Sequence, residues 1–208
     1  MSFELWLAFV AASAALLAIP GPTVMLVVSY ALGYGRALGW ATVPGVTLGD
    51  FTAMTVSLLG AGAVLAASAT LFTVLKLAGA GYLIWLGIKL WRAEPRLDDV
   101  DAATAGESAG SMFRNAFVVT ALNPKGIVFF VAFVPQFIDP AMAALPQFVI
   151  LEASFLVMAA ANVAVWAVLA GHLRSRFKRP ETLKLVNRTG ASFLIGAGLL
   201  TAAIRRTG

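Results

Sequence analysis

The chain has 208 residues, 60% of them hydrophobic and only 12% charged, with a mean hydropathy of +0.88. That balance excludes an ordinary soluble domain and marks an integral membrane protein. The formal net charge is +5, but the basic residues gather between apolar runs, where water and lipid headgroups account for them, so no nucleic-acid partner is expected. Cysteine is absent, which removes disulfides, thiolate metal ligands and thiol redox chemistry.

Six apolar runs follow one another at 5–32, 38–66, 71–90, 113–137, 148–171 and 186–203, each near or above the ~20 residues that a membrane-crossing helix needs. No basic residue precedes the first run, and it continues too far for a signal peptide, so a retained span is expected. Its middle reads Ala18-Ile19-Pro20-Gly21-Pro22. Each proline takes the usual partner from the carbonyl four residues earlier, so Leu16 and Ala18 are predicted to lose normal helical bonds at membrane depth. The second run contains Gly45-Val46-Thr47-Leu48-Gly49-Asp50. A carboxylate there costs about 2.5–3.5 kcal/mol on insertion scales, so Asp50 should face the bundle or a cavity and have a partner. Burial and a neighbouring cation would act on it in opposite senses, which suits a proton or amine site.

The third run carries Lys76 near one end, where it can snorkel to the headgroups. Residues 93–112 follow, with Glu94, Asp98, Asp99, Asp101 and Glu107 among small residues, a composition that suits a flexible connector. The fourth run is interrupted at Leu122-Asn123-Pro124-Lys125-Gly126, where Pro124 is predicted to free the Thr120 carbonyl. A half-helix starting there would attract a carboxylate, and the Lys125 ammonium would strengthen the attraction. The structural alternative for Lys125 is an ion pair with Asp50. Asn123 would complete the same shell or satisfy the freed carbonyls. In the fifth run, Glu152 is expected to pair with Lys76 or to line an external vestibule. Asn162, like Thr23, Thr47 and Thr52, is a polar candidate that also serves as packing glue. His172 stands alone among arginines, and no metal site is expected. At about 1.5 Å per residue, Pro20 to Pro22, Asp50 and Asn123 to Lys125 fall near the centres of their helices and converge on one plane.

Gly79-Ala80-Gly81-Tyr82-Leu83-Ile84-Trp85-Leu86-Gly87 in the third run aligns with Gly190-Ala191-Ser192-Phe193-Leu194-Ile195-Gly196-Ala197-Gly198 in the sixth, identical at five of nine positions. Three spans per half is an odd number, so the second copy must be inverted in the membrane. The expected architecture is an all-α integral membrane protein with six transmembrane helices as two inverted three-helix repeats, 1–92 and 113–208, joined by a cytoplasmic linker, 93–112. Basic residues mark the odd-numbered loops: Arg36 in the first; Lys89, Arg92, Arg96 and Arg114 around the third; Arg174, Arg176, Lys178, Arg179, Lys184 and Arg188 around the fifth. The positive-inside rule puts those loops in the cytoplasm and both termini outside, against which Arg205 and Arg206 argue weakly.

These segments together resemble the lysine exporter and homoserine/threonine resistance family (LysE/RhtB) of bacterial amino-acid exporters. The likeness runs over essentially the whole chain. It rests on Pro20-Gly21-Pro22, on Gly45 to Asp50, on Lys76-Leu77-Ala78-Gly79-Ala80-Gly81-Tyr82-Leu83 with Trp85-Leu86-Gly87, and on Asn123-Pro124-Lys125 followed by Phe129-Phe130. The resemblance implies a six-span secondary transporter of a bacterial inner membrane, exporting amino acids or related zwitterions by proton antiport. On that basis Pro20, Gly21, Pro22, Asp50, Lys76, Asn123, Pro124 and Lys125 carry over as the functional positions. Beyond the proton gradient no cofactor is implied. The implied partners are an amino-acid-like substrate and membrane lipid, and the sequence leaves a homo-oligomer open.

Other classes fare worse. A thiol oxidoreductase needs a cysteine pair, and an ATP-driven pump needs a Gly-x-x-x-x-Gly-Lys-[Ser/Thr] loop that does not occur. A membrane enzyme needs a nucleophile and a base, for which one histidine is poor material. A passive channel or a divalent-cation exporter of the same architecture is the remaining alternative.

Overall fold

A computed structural model describes residues 1–34, 39–92, 108–139, 141–177 and 180–203. Arg36, Arg96, Lys178, Arg179, Arg205, Arg206 and most of the expected linker lie outside the described residues. Those described are helical throughout, apart from short connections. The chain runs through α1 (Phe3–Ala18), α2 (Pro22–Tyr34), α3 (Thr42–Ala67), α4 (Ala69–Arg92), α5 (Ala109–Ala121), α6 (Pro124–Val128), α7 (Ala144–Phe177) and α8 (Pro180–Ala203). Between α6 and α7 it continues as a π turn, Phe129–Phe133, and a 3-10 turn, Val134–Phe137. The last residues assigned to the linker, 109–112, already form the first turn of α5, because the Ser108 hydroxyl accepts the Ser111 amide at 3.2 Å and caps the helix.

The first apolar run is not one helix. Between Ala18 and Pro22 the axis turns by 55°, as expected where two prolines remove donors from consecutive turns. The fourth run is broken too, and more heavily than the sequence suggests. Only five residues after Asn123 are α-helical before the backbone widens into the π turn. Among the described residues, three helical segments are long and apolar enough to cross a membrane: Thr42–Val64, Ala109–Phe137 and Ala144–Ala170. The bent α1–α2 pair makes a fourth if taken as one span. The helices α4 and α8 have 24 residues each, about 36 Å of helix.

Glycines set the tightest helix contacts. A side chain at Gly49 would lie 2.8 Å from both the Phe117 carbonyl oxygen and Thr120 Cβ, and Gly45 likewise abuts the Phe113 carbonyl, so α3 lies directly against the backbone of α5. A methyl group at Gly87 would lie 2.9 Å from the Ala191 carbonyl oxygen and 2.7 Å from Ile195 Cγ1. One at Gly198 would lie 2.7 Å from the Ala80 carbonyl oxygen and 2.6 Å from Ile84 Cγ1. These residues occupy matching positions in the two nine-residue segments, so the contacts of α4 with α8 are reciprocal, as a two-fold relation requires.

The aromatic core gathers around the π turn. Phe130 meets Phe155 of α7 edge-on at 4.9 Å, Phe129 stacks on Phe133 at 5.0 Å, and Phe9 of α1 meets Phe137 at 5.5 Å. The outward face of α7 presents Val149, Ile150, Val157, Val165 and Leu169, which suits a hydrocarbon surrounding. The Phe cluster packs the second half of the fourth apolar run against α1 and α7, beside the point where its break meets the break of the first.

Candidate functional site

The two breaks hold each other. Asn123 caps α6 by accepting the Lys125 amide on its own side-chain oxygen at 3.1 Å, and its Nδ2 donates to Thr23 Oγ1 of α2 at 3.2 Å. Thr120 Oγ1 donates to the same Thr23 oxygen at 3.2 Å. Fixed at that point, Lys125 sends its ammonium across to the first break, donating to the carbonyls of Leu16 at 3.1 Å and Ile19 at 3.0 Å. Asn162 of α7 donates to the neighbouring Leu17 carbonyl at 3.2 Å. Side chains from two other helices thus hold the Leu16, Leu17 and Ile19 carbonyls beside the Pro20 and Pro22 break, as non-helical backbone at membrane depth requires. Leu16 also keeps a backbone partner, the Ile19 amide at 3.3 Å, and the Ala18 carbonyl expected to open is not among those the side chains reach.

Two expectations are corrected here. The Thr120 carbonyl keeps a backbone partner, the Asn123 amide at 3.0 Å, because the chain tightens at the end of α5 instead of leaving that oxygen open. The start of α6 is not a free anion-binding helix end either. Asn123 already takes the Lys125 amide, and five α-helical residues carry little dipole. Any attraction for a carboxylate therefore comes from the Lys125 ammonium itself.

Asp50 is 8% exposed and lines, together with Lys125, Asn123, Thr23, Asn162 and Gly21, a cavity of about 40 Å³. The Lys125 charge acts on it through space, but no direct hydrogen bond or ion pair joins them among the described residues. The Asp50–Lys125 pair expected as the structural alternative is not formed: two of the three ammonium donors go to the Leu16 and Ile19 carbonyls, and that geometry holds the ammonium on the first break and not on Asp50. Gly21 sits against that ammonium: a methyl group there would lie 3.3 Å from Lys125 Nζ.

The remaining candidates fall elsewhere. Pro20, Pro22 and Pro124 line a second and larger cavity of about 240 Å³ together with Ile19, Gly21, Tyr82, Leu86, Lys89, Asn123, Lys125 and Leu194. Lys76 lies on the first half of α4, half-buried, in the lining of neither cavity. Glu152 also lies outside both linings. Its Oε1 accepts the Thr55 hydroxyl of α3 at 2.6 Å, a partner that neither expectation from the sequence names. Sequence reasoning missed the larger cavity. It took Lys89 as a loop marker and Tyr82 as part of a repeat. The available signal was spacing: Tyr82, Leu86 and Lys89 recur at helical intervals and share one face.

Residues 5–203 match the family described as LysE type translocator. The chain is 33% identical over 205 residues to the homoserine/homoserine lactone efflux protein of Salmonella typhimurium, covering 99% of each chain. It is 32% identical over 206 residues to an uncharacterized membrane protein of Vibrio cholerae, covering 99% of this chain and 100% of that one. A leucine efflux protein of Enterobacter sp. is 34% identical over 122 residues, 58% of this chain and 57% of that one. No solved structure matches.

Proposed function

The chain belongs to the LysE type translocator family, a family of multi-pass membrane transporters and not of enzymes, and from that premise we propose that it exports a neutral amino acid or a similar small zwitterion by proton antiport. One observation carries the reading: the buried Asp50 carboxylate and the half-buried Lys125 ammonium face one cavity at the crossing of two broken helices. Such an arrangement offers a zwitterion one group for each of its charges. The names of the homoserine and leucine efflux relatives agree with a substrate of that kind.

The substrate carboxylate meets Lys125. Because the Leu16 and Ile19 carbonyls already hold that ammonium, the substrate amine goes to Asp50, which has no competing hydrogen bond among the described residues. A proton arriving from outside neutralises Asp50, removes its hold on the amine and favours release, since a proton shifts a conformational balance only by binding one state better than another. The proposed frame is six spans in two inverted repeats, 1–92 and 113–208, rocking about the shared site, in a bacterial inner membrane with both termini outside. The reciprocal glycine contacts of α4 and α8 and the paired proline breaks support it.

The test is Asp50→Asn in proteoliposomes. A pH gradient should no longer drive efflux of a neutral amino acid, while exchange of labelled for unlabelled substrate continues. Efflux that still follows the gradient would remove Asp50 from coupling, and transport by the parent protein that ignores the gradient would make it a passive pathway.

A further inference from the structure

We propose that the 240 Å³ chamber beside the charged cavity is the side-chain subsite of the transported amino acid, and that it selects neutral apolar side chains over cationic ones. The inference rests on the amino-acid export reading and deepens it. The charged cavity, at about 40 Å³, has room on the order of one water molecule. It can receive the ammonium and carboxylate of an amino acid only if the rest of the molecule lies elsewhere. The space available is next door. Gly21, Asn123 and Lys125 line both cavities, so a substrate whose charges lie at Asp50 and Lys125 has its side chain at the mouth of the larger one. An apolar cavity of about 150 Å³ accepts benzene, so this one, about 240 Å³ and partly open to its surroundings, has the volume for a branched aliphatic or aromatic side chain.

The walls determine the chemistry. Ile19, Pro20, Pro22, Leu86, Pro124 and Leu194 form most of the lining, and none of its residues is acidic. Its two charged members, Lys89 and Lys125, are both cations, with the Lys89 ammonium 5.2 Å from the centre of the Trp85 ring. A lysine or arginine side chain entering here would lose water without gaining a counter-charge and would face ammonium groups of its own sign. An apolar side chain would exchange water for Leu86 and Leu194, an effect worth about tenfold or more in affinity for each methylene that fits.

The experiment measures binding of leucine, alanine, phenylalanine and lysine to the purified full chain by calorimetry, beside a melting curve. For the parent protein, leucine should bind at least tenfold tighter than alanine, and lysine should bind weakest. Leu86→Phe, which fills the chamber, should weaken leucine at least tenfold while alanine changes less than twofold. Leu86→Ala, which enlarges the chamber at some cost in stability because Leu86 packs against the core, should shift preference toward phenylalanine in a protein whose melting curve shows it still folded. Lysine binding equal to leucine would overturn the proposal, as would parallel changes for leucine and alanine in Leu86→Phe or an unchanged preference in Leu86→Ala. If none of the four amino acids binds, the export reading itself falls. If they bind without this ranking, only the chamber assignment falls.

Discussion

Replacing Lys125 by methionine keeps the length and apolar stem of the side chain but deletes both hydrogen bonds that tie the fourth span to the first, those to Leu16 O at 3.1 Å and Ile19 O at 3.0 Å. Interhelical hydrogen bonds in membrane bundles average about 0.6 kcal/mol and reach about 1.7, so the two together are worth about 1–3 kcal/mol. For a chain of this size each kcal/mol moves the melting temperature by about 2–4 °C, and the expected fall is about 2–12 °C. Losing the ammonium also removes the positive charge that acts on Asp50, leaving a carboxylate alone in a small cavity. Neutralising it as well, in Lys125→Met with Asp50→Asn, should therefore recover part of the loss, with a coupling of about 0.5–3 kcal/mol. Melting of the four purified proteins in one detergent reads both effects. If Lys125→Met melts at or above the parent and the two substitutions simply add, the ammonium neither secures the break nor balances Asp50, and the account of the site given above is wrong.

Straightening the first span by changing Pro20 and Pro22 to alanine should let amides reclaim the carbonyls that Lys125 and Asn162 now hold, so calorimetry should read weaker substrate binding in a protein whose melting temperature is kept or raised. Native affinity in a stable double variant would make the break purely architectural. Gly49→Ala should cost about 1–3 kcal/mol by forcing α3 off the Phe117 carbonyl and Thr120, whereas Gly60→Ala, with open space around the added methyl, should be neutral or slightly stabilising; equal melting of the two would contradict the close approach of α3 to α5. Reporter fusions after Arg96 should report the cytoplasm and those near Asp139 the outside, and the reverse pattern would overturn the assignment of the termini.

Hydropathy and proline were enough to read the membrane class and both breaks, because a helix in lipid must be apolar along its length and a proline cannot donate the usual bond to the carbonyl four residues back. Of the six apolar runs, the structure supports three, or four with the bent pair, as long enough and apolar enough to span among the described residues. The family signature was legible too, and of the residues expected to converge, Gly21, Asp50, Asn123 and Lys125 do line one cavity, although Asp50 stands in the first half of α3 and not at its centre. Which oxygen each donor reaches was not. Lys125 could pair with Asp50 or cap the first break, and only the meeting of the two breaks, fixed by Asn123 and Thr23, sends it to Leu16 and Ile19. Glu152 was expected to pair with Lys76 or to line a vestibule, and the placement of α3 against α7 gave it the Thr55 hydroxyl. The π turn at Phe129–Phe133 has no local signature, and for the chamber the spacing of Tyr82, Leu86 and Lys89 marks a shared helix face but not the volume it borders, which arises where side chains distant in sequence leave space between them. Composition and proline chemistry act residue by residue and can be read along the chain, whereas hydrogen-bond partners and cavities depend on how helices lie against one another, and that is decided only when all of them pack.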